Sequence, residues 1–209
     1  MENFRCTRTD PVVRTKQGDL RGFFFDGTYR FWGVPYAKAA RFEMPTAPDK
    51  WKGVRNAIAY GRICPILRDP VPDDEICVPH RFWPESEHCQ NLNVWTDSLD
   101  PAAKKPVMVW FHGGGFSTGS AIEHIAYEGD SLAKKAGVVL VSVNHRLNAF
   151  GHLDLSMYGE KFKNSVNVGI AIPKPQPFFL KHPYNLQRRS VSCRIGFLSP
   201  VFHNSSRGL

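Results

Sequence analysis

A continuous apolar run, Val107-Met108-Val109-Trp110-Phe111, leads through His112 into three consecutive glycines, Gly113, Gly114 and Gly115. Five apolar residues without alternation fit a strand buried on both faces, and Pro106 in front fits its start. Core packing does not account for the glycines, because each costs backbone entropy and offers no side chain to bury. They fit a place where something must approach the backbone closely. With no Cβ in the way, successive N–H groups can converge on one small anion, such as the oxygen that becomes negative when an ester carbonyl is attacked. A tight turn or a phosphate cradle would use the same residues, but neither Gly-x4-Gly-Lys-Ser/Thr nor Gly-x-Gly-x-x-Gly is completed.

The flanking segments set the fold class. Downstream, Asp130-Ser131 reads as an N-cap, Leu132 to Ala136 as a helix and Gly137 as its stop, followed by a second buried strand over Val138 to Val143. Strand, loop, helix and strand in that order imply a right-handed crossover between parallel strands. Upstream, Val12 to Thr15, Leu20 to Phe25 and Thr28 to Trp32 read as strands, with Asp26-Gly27 as a hairpin turn. Leu92 to Thr96 alternates with period two, whereas 33–87 is rich in proline and glycine and reads as ordered loops. The expectation is an α/β fold whose mixed sheet has an antiparallel N-terminal edge and a parallel core. Two regions follow: residues 1–171 as part of one domain, and 172–209 as a basic, proline-containing tail, disordered or out of frame.

The net charge of +8 sits at the end of the sequence: residues 1–160 hold 19 Lys+Arg against 19 Asp+Glu, and 161–209 hold 8 Lys+Arg and no acid, six of the eight within the tail. A nucleic-acid or membrane arm there lacks a recognisable module. No apolar run reaches the length of a bilayer span, and the start lacks a signal-peptide core, which reads as cytoplasmic. The five cysteines, at 6, 64, 77, 89 and 193, are too scattered for a disulfide framework. A zinc set of Cys77, His80, His88 and Cys89 is conceivable, but the adjacent pair His88-Cys89 is ill placed to face one ion, and Pro79 and Pro84 indicate a loop.

His-Gly-Gly-Gly-Phe after an apolar strand resembles the oxyanion loop of esterases and lipases. Gly33-Val34-Pro35-Tyr36-Ala37, Ser86 to Trp95, Pro106 to Gly119, Ser142 to Leu147 and Asn167-Val168-Gly169 occur in the order and approximate spacing of the type-B carboxylesterases. The resemblance covers roughly residues 10–171 and, within that family, points to the bacterial para-nitrobenzyl esterases. It implies the N-terminal part of an α/β-hydrolase fold, a serine ester hydrolase working through an acyl-enzyme, and a small carboxylic ester as partner, with no cofactor, metal, nucleic acid or membrane. The backbone amides of Gly114 and Gly115 are then the oxyanion donors. The third donor, the residue after the nucleophile, is absent, as are the Gly-Glu-Ser-Ala-Gly elbow, the acid and the histidine. Gly115-Phe116-Ser117-Thr118-Gly119 matches Gly-x-Ser-x-Gly, but it lies inside the donor loop and reads as a decoy.

Further residues take roles by resemblance only. Arg41 and Glu87 match an ion pair; Cys64 and Cys89 stand where secreted relatives form a disulfide, so proximity with reduced thiols is expected. His88 replaces an acid in Ser-Glu-Asp-Cys and reads as a loop side chain, and 37–42 is shorter than usual. Arg146 loses its acid, which aligns with Ile172, and should turn to solvent or backbone carbonyls. The chain reads as an inactive piece of an esterase, by frameshift, assembly error or truncation. The alternative is a non-catalytic carboxylesterase-like binding protein.

Overall fold

The computed structural model describes residues 3–66 and 80–171; the basic tail, Cys77 and Cys193 lie outside them. Among the described residues the order is β1 (Phe4–Arg5), β2 (Val12–Arg14), β3 (Asp19–Arg21), β4 (Phe23–Phe25), β5 (Thr28–Pro35), β6 (Val54–Asn56), β7 (Asn91–Thr96), β8 (Val107–Phe111), α1 (Asp130–Ala136), β9 (Val139–Val143) and α2 (Asn148–His152), with five short 3-10 turns between and after them. One sheet has the order β1-β4-β5-β7-β9-β8 and a second the order β2-β3-β6. In the larger sheet every neighbouring pair is antiparallel except β8 and β9, which are parallel and joined through α1.

Asp26 and Gly27 close the β4–β5 hairpin with φ of 45° and 77°, the left-handed pair that a two-residue primed turn requires. The segment read as one strand, Leu20 to Phe25, instead divides at Gly22. Asp19–Arg21 joins the small sheet and Phe23–Phe25 the large one, and at the crossing a methyl on Gly22 would lie 2.3 Å from the Arg30 carbonyl oxygen. β6, inside the region read as loop, pairs parallel to β3; its three residues are all exposed, so no burial pattern marks it.

The core sits between the large sheet and the loops around it, with Leu20, Phe31, Val34, Leu92, Val94, Val141 and Val143 in one cluster. β7 does not show half-buried alternation: all six of its residues are buried, because β5 and β9 flank it and Trp95 packs with Ala133 of α1 and Leu140. β8 departs from expectation in the other direction. Val107 to Phe111 are each 39–44% exposed, since β9 is its only strand neighbour among the described residues. An apolar run states what a strand can be buried in, not whether a neighbour is there. The helix start also differs: Gly129 occupies the cap position, its carbonyl accepting the first helical bond from Ala133 N–H at 2.8 Å. Asp130 lies in the first turn instead, 3.8 Å from the Arg30 guanidinium.

Candidate active site

The chain leaves β8 at Phe111, and the glycine triplet opens directly at the carboxyl end of that strand, where open α/β sheets bind their ligands. Gly114, Gly115 and Phe116 have φ of 109°, 59° and 61°. The turn is closed by Ser117 and Thr118 N–H groups, which donate to the Gly114 carbonyl at 2.9 and 3.0 Å. The two glycines are needed for different reasons. A Cβ on Gly114 would meet the Thr118 carbonyl oxygen at 2.2 Å, whereas one on Gly115 would meet nothing within 4 Å. Gly114 closes the turn, and Gly115 keeps its own face open. Both are exposed, and among the described residues neither amide donates to a backbone carbonyl. The loop is anchored to α2 by Asn148 N–H, which donates to the Phe116 carbonyl at 2.7 Å.

Histidines support this loop from below. His112 is buried and stacks on His145, with ring centroids 4.7 Å apart and planes 13° apart. Its Nδ1 lies 2.8 Å from the Gly113 carbonyl oxygen, a contact that a neutral ring makes as an Nδ1–H donor. Burial, with the neighbouring His145, brings the His112 pKa down to about 4. Burial also lowers that of His145. The pair is therefore neutral at pH 7 and puts no cation under the glycine amides. Phe116 covers this base, packing against His152 at 5.1 Å and His145 at 6.4 Å.

A chain of buried amides joins the loop to the sheet. Gly33 lies at a bulge between β5 and β7, and its freed N–H donates to Asn93 Oδ1 at 3.0 Å. Asn93 Nδ2 donates to Ser142 Oγ at 3.3 Å, and Asn144 Nδ2 to Asn91 Oδ1 at 3.2 Å. Asn144 Oδ1 accepts from Ala121 N–H at 2.8 Å, tying the segment after the glycine loop to the end of β9. Tyr36 donates its hydroxyl to the Asn144 carbonyl at 3.0 Å, and burial raises its pKa above the ordinary phenol range.

The residues assigned by resemblance lie together at one end of β9. Arg41 Nε donates to Glu87 Oε2 at 2.8 Å with a second, shorter contact beside it; this pairing lowers the Glu87 pKa and raises that of Arg41. Arg146 is 3% exposed, and its guanidinium donates to the carbonyls of Ala40, Glu43 and Val168 at 3.2, 2.8 and 2.9 Å. Burial lowers its pKa. Arg41, Glu87, Arg146, His88 and Phe150 line a cavity of about 380 Å³. Cys64 and Cys89 are buried free thiols packed with Leu147. Their mutual hydrogen bond lowers the Cys64 pKa, and together with burial raises that of Cys89.

Ser117 sits in an exposed turn, its hydroxyl 3.4 Å from the Gly115 carbonyl. The next helical turn begins only at Ile125, so Ser117 is not at a strand-to-helix tip. The conceivable zinc set is dispersed: Cys89 is with Cys64, His88 is in the Arg146 cavity, and Cys77 is outside the described residues. A different cluster went unread, in which His80, Glu123 and His124 bring their potential ligand atoms within 4.8 Å of one another. The only sequence signal was a histidine beside a glutamate, more than forty residues from its partner.

The model of the carboxylesterase family matches residues 9–170. The para-nitrobenzyl esterase of Bacillus subtilis (strain 168) is 36% identical over 165 residues, 77% of this chain and 32% of that protein. The phenmedipham hydrolase of Pseudarthrobacter oxydans is 40% identical over 149 residues, 69% of this chain and 30% of that protein. Among solved structures, an esterase from Clostridium hathewayi, described as hydrolysing aliphatic aromatic polyesters, superposes with a TM-score of 0.76 at 50% identity over 80% of this chain and 34% of its own. The chain thus spans about a third of the length of the relatives it matches.

Proposed function

The chain belongs to the carboxylesterase family, and from that premise we propose that its glycine loop is the oxyanion-binding part of a serine ester hydrolase acting on small carboxylic esters. The observation that carries this is the pair Gly114 and Gly115: exposed, in left-handed conformation, at the carboxyl end of β8, with amides that no backbone carbonyl among the described residues occupies. Two such donors stabilise a tetrahedral intermediate because they are already aimed where negative charge develops. The neutral histidine pair below them fixes the Gly113 carbonyl and leaves the amides as the source of positive potential.

Donors alone bind an oxyanion without creating an acyl-enzyme. The 209 residues contain no Gly-Glu-Ser-Ala-Gly, and in our reading Ser117 is no substitute, because one turn would have to be both donor loop and elbow. The 209-residue chain should therefore leave a p-nitrophenyl ester unhydrolysed and a fluorophosphonate probe unattached. Hydrolysis and labelling that disappear in Ser117→Ala would make Ser117 the nucleophile and end this reading.

A further inference from the structure

The cluster of His80, Glu123 and His124 borders the end of the glycine loop, where a Cβ on Gly119 would meet His112 Nδ1 at 2.7 Å and Glu123 Oε2 at 3.2 Å, but it has no part in the chemistry above. His80 Nδ1 is 3.0 Å from Glu123 Oε1, and the His80 and His124 rings meet at 4.5 Å, edge to face. Adjacent residues seldom present two ligands to one ion, but the backbone here permits it. Glu123 N–H donates to the Ser120 carbonyl at 3.3 Å and closes a turn. His124 follows in extended conformation, φ −109° and ψ 145°, at the head of the next 3-10 turn. Both side chains thereby reach the same side, where Arg81 N–H donates to the Glu123 carbonyl at 2.8 Å and holds His80 in place.

We propose that His80, Glu123 and His124 form a binding site for a divalent transition ion of the zinc class. Ligand bonds of about 2.0–2.1 Å in a tetrahedron put neighbouring ligand atoms roughly 3.3 Å apart. The His80–Glu123 separation of 3.0 Å already has that spacing, and small side-chain rotations bring His124 in. Two imidazoles and one carboxylate suit zinc, copper or nickel, whereas calcium and magnesium prefer shells built from oxygen. Three protein ligands leave a fourth position to solvent. The ion would clasp the segment at His80 to the turn that follows the glycine loop, holding the wall of the neighbouring cavity lined by Trp32, Tyr60, Arg81 and Trp83.

The test is a zinc titration of the full chain, carried on a solubilising partner without a polyhistidine tag, against a chromophoric chelator. One equivalent of Zn²⁺ should bind, and Glu123→Gln and His124→Ala should each weaken it by roughly tenfold or more, with circular dichroism unchanged. Substituted Co²⁺ should give a tetrahedral spectrum without a thiolate charge-transfer band. Three results overturn the site: no competition with the chelator, stoichiometric binding that survives a His80→Ala/His124→Ala double variant, or a thiolate band that assigns the ion to cysteine.

Discussion

Trp110→Lys should convert an association-prone chain into a more soluble one. Among the described residues β8 is bonded along one edge only, and a second copy laid against the other edge would pair free backbone groups and cover exposed side chains. A tryptophan buries up to about 250 Å². The 39% of Trp110 left exposed is then on the order of 100 Å², and at about 25 cal/mol per Å² its removal from water favours association by roughly 2.5 kcal/mol. Losing that term weakens self-association by roughly 60-fold, and a lysine on an open edge opposes pairing further. The substitution leaves the β8–β9 backbone bonds in place, so the fold should persist. Sedimentation velocity over a concentration series reads the shift. Met157→Lys is the control, since Met157 is 83% exposed but sits in a 3-10 turn away from any sheet edge. If the control gains as much solubility as Trp110→Lys, or Trp110→Lys gains none, then edge pairing does not drive association and the reasoning fails.

Arg146→Met should destabilise the chain by about 2–4 kcal/mol, because three carbonyls lose their donor at about 1–3 kcal/mol each, partly offset by removal of a buried cation. Arg146→Lys should cost less, one ammonium still reaching some of them, and urea unfolding of a Met variant as stable as the parent would refute the account. His112 should stay neutral until pH falls to about 4. Its folded pKa lies below the ordinary 6.5, so the stability linked to it is complete above pH 6.5 and is lost, on the order of 3 kcal/mol, as pH falls through about 4. A His112 ring resonance that titrates near 6.5 in an NMR pH series would contradict its burial.

The parts of the fold that local chemistry dictates are legible without coordinates. Asp26-Gly27 announces its hairpin because only such residues accept two left-handed conformations in a row. The apolar runs of β8 and β9 announce strands, and the glycine triplet announces a turn with left-handed conformations at the end of β8. What depends on neighbours is not legible. β6 carries no pattern because all three residues face water, and the exposure of β8 follows from what stands beside it. Polar residues in or beside buried strands were the overlooked signal: Asn91, Asn93, Ser142 and Asn144 border or interrupt apolar stretches and turn out to be joined in two pairs, Asn93 to Ser142 and Asn144 to Asn91. The His80–Glu123–His124 cluster leaves no trace in spacing, since tertiary structure alone brings a distant histidine to an adjacent pair.

The buried amides have a further consequence for how the sheet finds its alignment. A strand with one wet face is aligned by its alternation, because a slip of one residue turns the apolar set outward. β7 is buried on both faces, so a slipped β7 would still lie among apolar neighbours and hydrophobicity alone would barely penalise it. Asn91 and Asn93, two residues apart and so on one face, remove that degeneracy. In the native alignment Asn93 meets the Gly33 amide and Ser142. Shifted by one position it would face the opposite layer, leaving a buried amide and the bulge N–H unsatisfied, at about 1–3 kcal/mol for each orphaned group. The asparagines thus act as an index mark for strand pairing, and through Asn144 and Ala121 the same mark fixes where the glycine loop comes to rest.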